Sequence, residues 1–223
     1  MAVIEHIVEQ HAEELAFQWL IRDEAVDAPH YTREHLGRLD ERIEAHLDGL
    51  RVAGDDGWRI ALAALEAHPE PGEVFAAGAL ALGRREAARI ETVLKLVEER
   101  PETVRAFVSA LGWVPPARLN GLISPLIHHR RALRRYLGVA ACSVHRVDPG
   151  ARIADFLADE PMVRARALRL AGELGRVDLV PTLRAALRDA DRACRFWAAW
   201  SAALVGEREG VVGILRDHAE GFG

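Results

Sequence analysis

Cysteine is scarce in this chain: Cys142 and Cys194 are its only two among 223 residues. Two thiols supply neither a disulfide framework nor a metal-ligand spacing. Both fall inside predicted helices and read as buried free thiols of a reducing compartment. Tyrosine is equally rare and β-branched runs are few, which argues against an all-β fold. Long apolar runs are missing too. The longest, Val74 to Gly83 and Phe196 to Gly206, fall far short of the roughly 20 residues that span a bilayer and read as buried helices. The opening MAVIEHIVEQ is acidic and amphipathic, without the basic start and apolar core of a signal peptide. A cytoplasmic protein with no membrane insertion is expected. Lysine is reduced to Lys95, which fits a GC-rich bacterial genome. Gly-x-Ser-x-Gly, a Gly-rich phosphate loop, Cys-x-x-Cys and His-Glu-x-x-His do not occur. No catalytic residue, metal site or cofactor is therefore assigned.

What is present is helical. Half the residues are hydrophobic, enough to bury a sizeable core at this length. The organising stretch is Pro161 to Asp189, which reads as two short helices joined at Gly175-Arg176-Val177. Val163, Ala167, Leu170, Ala171 and Leu174 trace one face of a 3.6-residue period, and Arg166, Arg169, Glu173 and Arg176 the other. Pro161 suits a helix start and Gly175 a helix end. Asp178 is placed to cap the second helix, with Pro181 in its first turn and Leu179, Val180, Leu183 and Leu187 on its apolar face. Neither helix is long enough to be stable alone.

The pattern recurs at about thirty residues, within the range of helical repeat arrays. Helices open at Val104-Arg105, Leu133-Arg134, Val163-Arg164 and Cys194-Arg195, each followed by a shorter apolar stretch: Leu119 to Ile127, Ile153 to Leu157, Leu179 to Leu187 and Val211 to Leu215. A weaker copy pairs Val74–Leu82 with Ile90–Val97. The motif V-R-x-x-A-x-x-L-x-x-L-G, closely matched from Val163 to Gly175, resembles a HEAT-type repeat in the short form shared with phycobilin-lyase-like proteins. The fold class expected is all-α, an α-solenoid of HEAT-like helix pairs. An N-terminal helical region over residues 1–71 would precede repeats over 72–223, about five helix pairs. The resemblance also implies that Arg105, Arg134, Arg164 and Arg195, with Asp159, Asp189 and Asp191, form the Asp/Arg ladder that staples neighbouring repeats.

Ahead of the repeats, helices are predicted over residues 3–26, Arg33–Ala53 (capped by Thr32) and Trp58–His68, with a turn at Gly54-Asp55-Asp56-Gly57. Three segments here, His11 to Glu14, Trp19 to Asp23 and Leu39 to Gly54, with Ser109 to Trp113 later, resemble the motifs of an uncharacterised bacterial HEAT-like family. Its members are often encoded near type VI secretion genes. That resemblance implies an accessory role in effector loading or delivery, and no activity. Family members are longer, and His218 to Gly223 is expected to add no capping helix, so a truncated or bare-ended array is expected.

Candidate interaction residues follow from these motifs: Trp19, Arg22, Asp23, Asp40, Arg42, His46, Trp113, Trp197 and Trp200. Asp40, Arg42, His46 and Asp48 form the densest polar group, with Arg42 and His46 four apart on one helix face. They read either as a docking point or as a network that fixes helix packing. His6 with Glu9, and His11 with Glu14, have a di-iron spacing. Glu5-His6 and Glu34-His35 run opposite to the His-Glu dipeptides of HEAT-type di-iron hydroxylases, and His128-His129 is expected in a turn. Tryptophans at helical spacing are usually core, but Phe196, Trp197 and Trp200 would become an interface at an open end. Residues 1–101 carry eleven basic and twenty-one acidic side chains, and the remainder eighteen and thirteen, so the front is acidic and the back mildly basic. That asymmetry permits self-association. The function expected is a non-catalytic scaffold or adaptor for another protein. The alternative is a nucleic-acid protein such as a HEAT-type alkylpurine DNA glycosylase, which the acidic front opposes. A metalloenzyme or tetrapyrrole lyase on the same scaffold is the third reading.

Overall fold

A computed structural model of the chain describes residues 3–220. Among the described residues there are fourteen α-helices and no strand, an all-α fold of the α-solenoid class. The chain forms two compact units, Met1–Asn120 and Gly121–Gly223. The expected division after residue 71 marks where the repeat pattern begins in the sequence. The first compact unit reaches beyond it because α4, Pro71–Arg84, packs against α1, Glu5–Ala25, and α3, Asp55–Ala67.

In the first unit, α1 buries Val8, Ala12, Leu15, Ala16 and Trp19, and α2, Arg33–Ala53, buries Leu39, Ile43, Leu47 and Leu50. The two stripes lie together. Thr32 caps α2 as expected, its hydroxyl accepting from the His35 amide at 3.3 Å while the His35 ring accepts from the Thr32 amide. The turn expected at residues 54–57 is shorter than predicted. Gly54 alone turns, at φ +67°, and Asp55 and Asp56 enter the first turn of α3, where acidic side chains favour the helix dipole. Every residue from Val74 to Leu82 in α4 is buried. Around it stand α5, Ala87–Glu99, α6, Val104–Trp113, and the short α7, Pro116–Leu119.

In the second unit three thirteen-residue helices, α9 Ala132–Val144, α11 Pro161–Glu173 and α13 Arg192–Leu204, stack side by side. Short helices back them: α8 Ile123–Ile127 on α9, α10 Ile153–Leu157 on α11, and α12 Val180–Ala186 with α14 Val211–Glu220 on α13. Val163, Ala167, Leu168, Leu170 and Ala171 of α11 are fully buried between them. Gly175 ends the α11 segment at φ +65°.

Some expected details differ. Asp178 does not cap α12; it lies in the 3-10 turn Val177–Leu179 ahead of it and holds Arg176 at 2.7 Å. The ladder forms with a shifted register. Arg164 pairs with Asp189 at 2.8 Å as expected, but Asp159 takes Arg135 rather than Arg134, at 2.6 Å. Arg195 donates to the main-chain oxygens of Asp189 and Ala190, Asp191 caps α13 by accepting from the Cys194 amide, and Arg105 reaches back to Asp23. His218 lies within α14, so residues 218–220 extend a helix where none was expected; Gly221, Phe222 and Gly223 lie outside the described residues.

Candidate functional site

The first unit brings most of the motif residues into one connected network. Trp19 is the largest fully buried side chain and stacks on Phe75, 5.4 Å between centroids. Its indole N–H donates to Ser109 Oγ at 2.9 Å, which satisfies the polar end of a buried aromatic. Phe75 also meets Trp113 edge to face at 5.4 Å. The Trp113 N–H in turn donates to Glu44 Oε2 at 2.6 Å, and Glu44 also receives Arg51. Thus α1, α4, α6 and α2 are joined through three aromatic rings and the hydrogen bonds at their polar ends.

A second polar line runs beside it. Arg22 donates to Asp40 at 3.0 Å, and Asp23 receives Arg105 through both carboxylate oxygens at 2.8 and 2.9 Å. His11 and His46 meet Nδ1 to Nδ1 at 3.1 Å, so one ring donates the shared hydrogen and the other accepts. Gly49 makes room for this. A Cβ there would lie 2.6 Å from the His11 ring. Burial, then the neighbouring His11, lower the His46 pKa, with Glu14 opposing.

The dense group expected on α2 does not converge. Asp40 turns to Arg22, His46 to His11 and Asp48 to Arg51, while Arg42 is exposed. Asp40, His46 and Asp48 each find a partner on another helix or one turn along α2. Glu44 and Ser109, which join the aromatics, lay inside the recognised motifs but were not singled out. Glu44 stands among Asp40, Glu41 and Asp48 with nothing in the sequence to mark it out, whereas Ser109 is the one hydroxyl between Val104 and Trp113.

Between α2, α4 and the α6–α7 junction opens a cleft of about 680 Å³. Ala79, Leu80 and Val114 form its apolar floor and Trp113 lines it beside Glu44, with Arg51, Arg84 and Arg118 supplying positive charge. Arg51 answers Glu44 and Asp48, and Arg84 reaches Asp55 at 3.2 Å. Arg118 is exposed and forms no ion pair among the described residues. The cleft therefore offers a Trp edge, apolar surface and rim cations.

Trp197 and Trp200 lie on α13 in the second unit, half-buried and edge to face at 5.4 Å. Arg169 of α11 covers Trp197 at 4.6 Å from its centroid, a cation–π contact. Phe196 meets Trp197 on one side and stacks on His218 at 4.0 Å on the other. Among the described residues no group of three or more His, Cys, Asp or Glu is placed to hold a metal ion, and in the turn on the second unit His128 is exposed and His129 half-buried. Among the described residues no helix is long and apolar enough to cross a membrane.

Residues 151–221 match a family model of HEAT repeats. No curated protein and no solved structure matches the chain.

Proposed function

We propose that this HEAT-like repeat protein is a non-catalytic scaffold that binds another polypeptide, and that the cleft of the first unit is where it does so. The observation that carries the reading is the bracing of that cleft. Trp113 is fixed by Glu44 and Phe75, and Phe75 is fixed by Trp19. A site whose walls are held before the partner arrives costs less ordering on binding. Indole and guanidinium groups are also the side chains that most often anchor protein partners. HEAT repeats themselves stack into extended surfaces of this use. Arg22, Asp23, Asp40 and His46 then act as bracing behind the cleft, and Trp113, Arg84 and Arg118 as contacts.

The finer assignment is an accessory of type VI secretion in the cytoplasm, handling an effector. Its support is the run of motif residues that resemble that bacterial family, several of which build the bracing just described. A nucleic-acid role draws less support, because the arginines of the repeat ladder are already paired with Asp159 and Asp189.

The test is affinity capture from the encoding organism, wild type against the Arg84→Glu/Arg118→Glu double variant, read by mass spectrometry. A secretion component or effector recovered with wild type and lost with the variant supports the proposal. Equal recovery on both proteins refutes the cleft, and nucleic acid as the main captured species refutes the scaffold.

A further inference from the structure

Arg166 is the arginine of α11 that the ladder does not use. It is 7 % exposed, and its Nε has no hydrogen-bond partner. Its guanidinium makes no hydrogen bond or ion pair among the described residues. The other arginines around it are engaged. Arg135 holds Asp159, Arg164 holds Asp189, Arg169 holds Glu173 at 2.8 Å, and Arg176 holds Asp148 and Asp178. Burial lowers the Arg166 pKa, with Tyr136 and Glu173 acting to raise it and Arg169 to lower it. Glu173 offsets the charge only in part: it makes no hydrogen bond to Arg166, and its two oxygens already receive Arg169 and the Ser143 hydroxyl. A buried guanidinium without a hydrogen-bonded counter-charge is destabilising, and proteins rarely keep one without a use.

Its position says what the use is. Met162, Arg166, Arg169 and Glu173 recur at steps of four, three and four, along the side of α11 opposite its fully buried stripe. Met162 is exposed there. Tyr136 of α9 and Trp197 of α13 flank this stripe, the first close enough to act on the guanidinium and the second beneath Arg169. Of the three guanidinium nitrogens, only Nε is both sealed from solvent and unpartnered. The two terminal nitrogens are the ones a ligand reaches, side by side, in the arrangement that suits a planar carboxylate.

We propose that Arg166 is the seat for a carboxylate side chain of an acidic polypeptide segment laid across α9, α11 and α13, with Tyr136 and Trp197 on either side. This rests on the polypeptide-binding reading and adds a second contact region to it. A phosphodiester strand would need a row of available cations. This face offers one, beside the Glu173 carboxylate, while its neighbours are held in ion pairs. One desolvated guanidinium among aromatic rings matches a single acidic side chain with apolar neighbours.

The test follows the Arg166 Nε–H resonance of the whole chain by NMR during titration with N-acetylglutamate, inorganic phosphate and oligothymidylate in separate arms. The sealed Nε–H of Arg166 gives a slowly exchanging signal, assigned by its loss in Arg166→Gln. N-acetylglutamate is expected to move it saturably, with a dissociation constant on the order of tens of millimolar for one charge-assisted contact. Exposed arginines such as Arg216 should move only linearly. Arg166→Gln is also expected to raise the melting temperature without ligand, since it removes the unpaired charge. Should it fail to fold, Arg166→Lys serves for the assignment; it keeps the charge and loses the fork, and the affinity read from the neighbouring Trp197 indole N–H should fall about tenfold. Non-saturable movement matching that of Arg216 overturns the proposal. A stronger, steeply salt-dependent response to oligothymidylate overturns it in favour of nucleic acid. The titration needs no partner, so a silent Arg166 leaves the cleft of the first unit standing. A responsive Arg166 with no captured protein would count against the cleft alone.

Discussion

Gly172→Ala probes the closest approach of backbones in the repeat stack. Gly172 lies near the end of α11 against α13. A Cβ at this position would stand 2.4 Å from Ser201 Oγ and 2.6 Å from Ser201 Cα. The second contact is with main chain, so it cannot be relieved by a rotamer change. Restoring ordinary contact requires α11 and α13 to part locally by about 1 Å. Overpacking of this kind costs about 1–3 kcal/mol. The displacement also pulls on the buried hydrogen bond from Ser201 Oγ to the Leu168 carbonyl, 2.7 Å long, whose loss costs about 1–2 kcal/mol. Alanine returns at most about 1 kcal/mol of helix propensity. The net expectation is a loss of about 2–3 kcal/mol, or a drop of roughly 10 °C or more in the melting temperature of a unit this size. The assay is urea and thermal unfolding followed by circular dichroism, with Gly37→Ala in parallel. Gly37 is in α2 with nothing within 4 Å of its would-be Cβ, so that change should stabilise by up to about 1 kcal/mol. If Gly172→Ala is as stable as wild type, the helix stacking described for the second unit is wrong.

Three further outcomes are expected. The lowered His46 pKa means that the unfolded chain binds more protons just below 6.5. The contribution is therefore intact above about pH 6.5 and is lost as pH falls through the lowered value. His46→Gln should flatten the fall in urea midpoint between pH 7.5 and 5.5, and an unchanged slope would remove the His11–His46 pair as its source. Burial pushes the Cys194 thiol up to about 11, and burial likewise raises Cys142. Both should resist Ellman's reagent at pH 8 until the chain is unfolded, and rapid labelling of the native protein would contradict their placement. Arg164→Ala should destabilise by about 2–3 kcal/mol, since it strips Asp189 of its guanidinium, whereas Arg195→Ala, which loses only carbonyl contacts, should cost about half as much. Equal urea midpoints would refute a ladder that depends on the forward carboxylate.

The helices were legible because periodicity and caps act locally. Thr32, Pro161 and Gly175 marked ends that the structure keeps, and the second apolar stretches at residues 119–127 and 153–157 became short helices. What failed was chemistry that depends on neighbours. Asp178 has the identity of a cap, but Arg176 two residues earlier takes its carboxylate. Asp40, Arg42, His46 and Asp48 looked like one group because they are near in sequence. On the helix Asp40, His46 and Asp48 are each drawn to a different partner, so nearness in sequence did not make one group. The aromatic bracing was invisible for a similar reason: Trp19 and Ser109 are 90 residues apart, and Trp113 and Glu44 are 69 apart. Periodicity carries no information about such pairs. Only the motif resemblance placed their segments in one list.

The repeat arginines show how one residue type can carry two registers. Arg135 donates to the carbonyls of His129 and Arg130, Arg164 to that of Asp159, and Arg195 to those of Asp189 and Ala190. Each one closes the loop before its own helix. Arg135 and Arg164 also reach forward to Asp159 and Asp189, carboxylates that are themselves steadied by the amides of Glu160 and Asp191. One guanidinium thus ties two successive loops, which takes the fork geometry of arginine and could not be done by lysine. This also makes Arg166 distinct. Two positions beyond Arg164 on the same helix, it bonds to neither loop and stays buried with no hydrogen-bond partner for its Nε, which is the group the proposed acidic segment would answer.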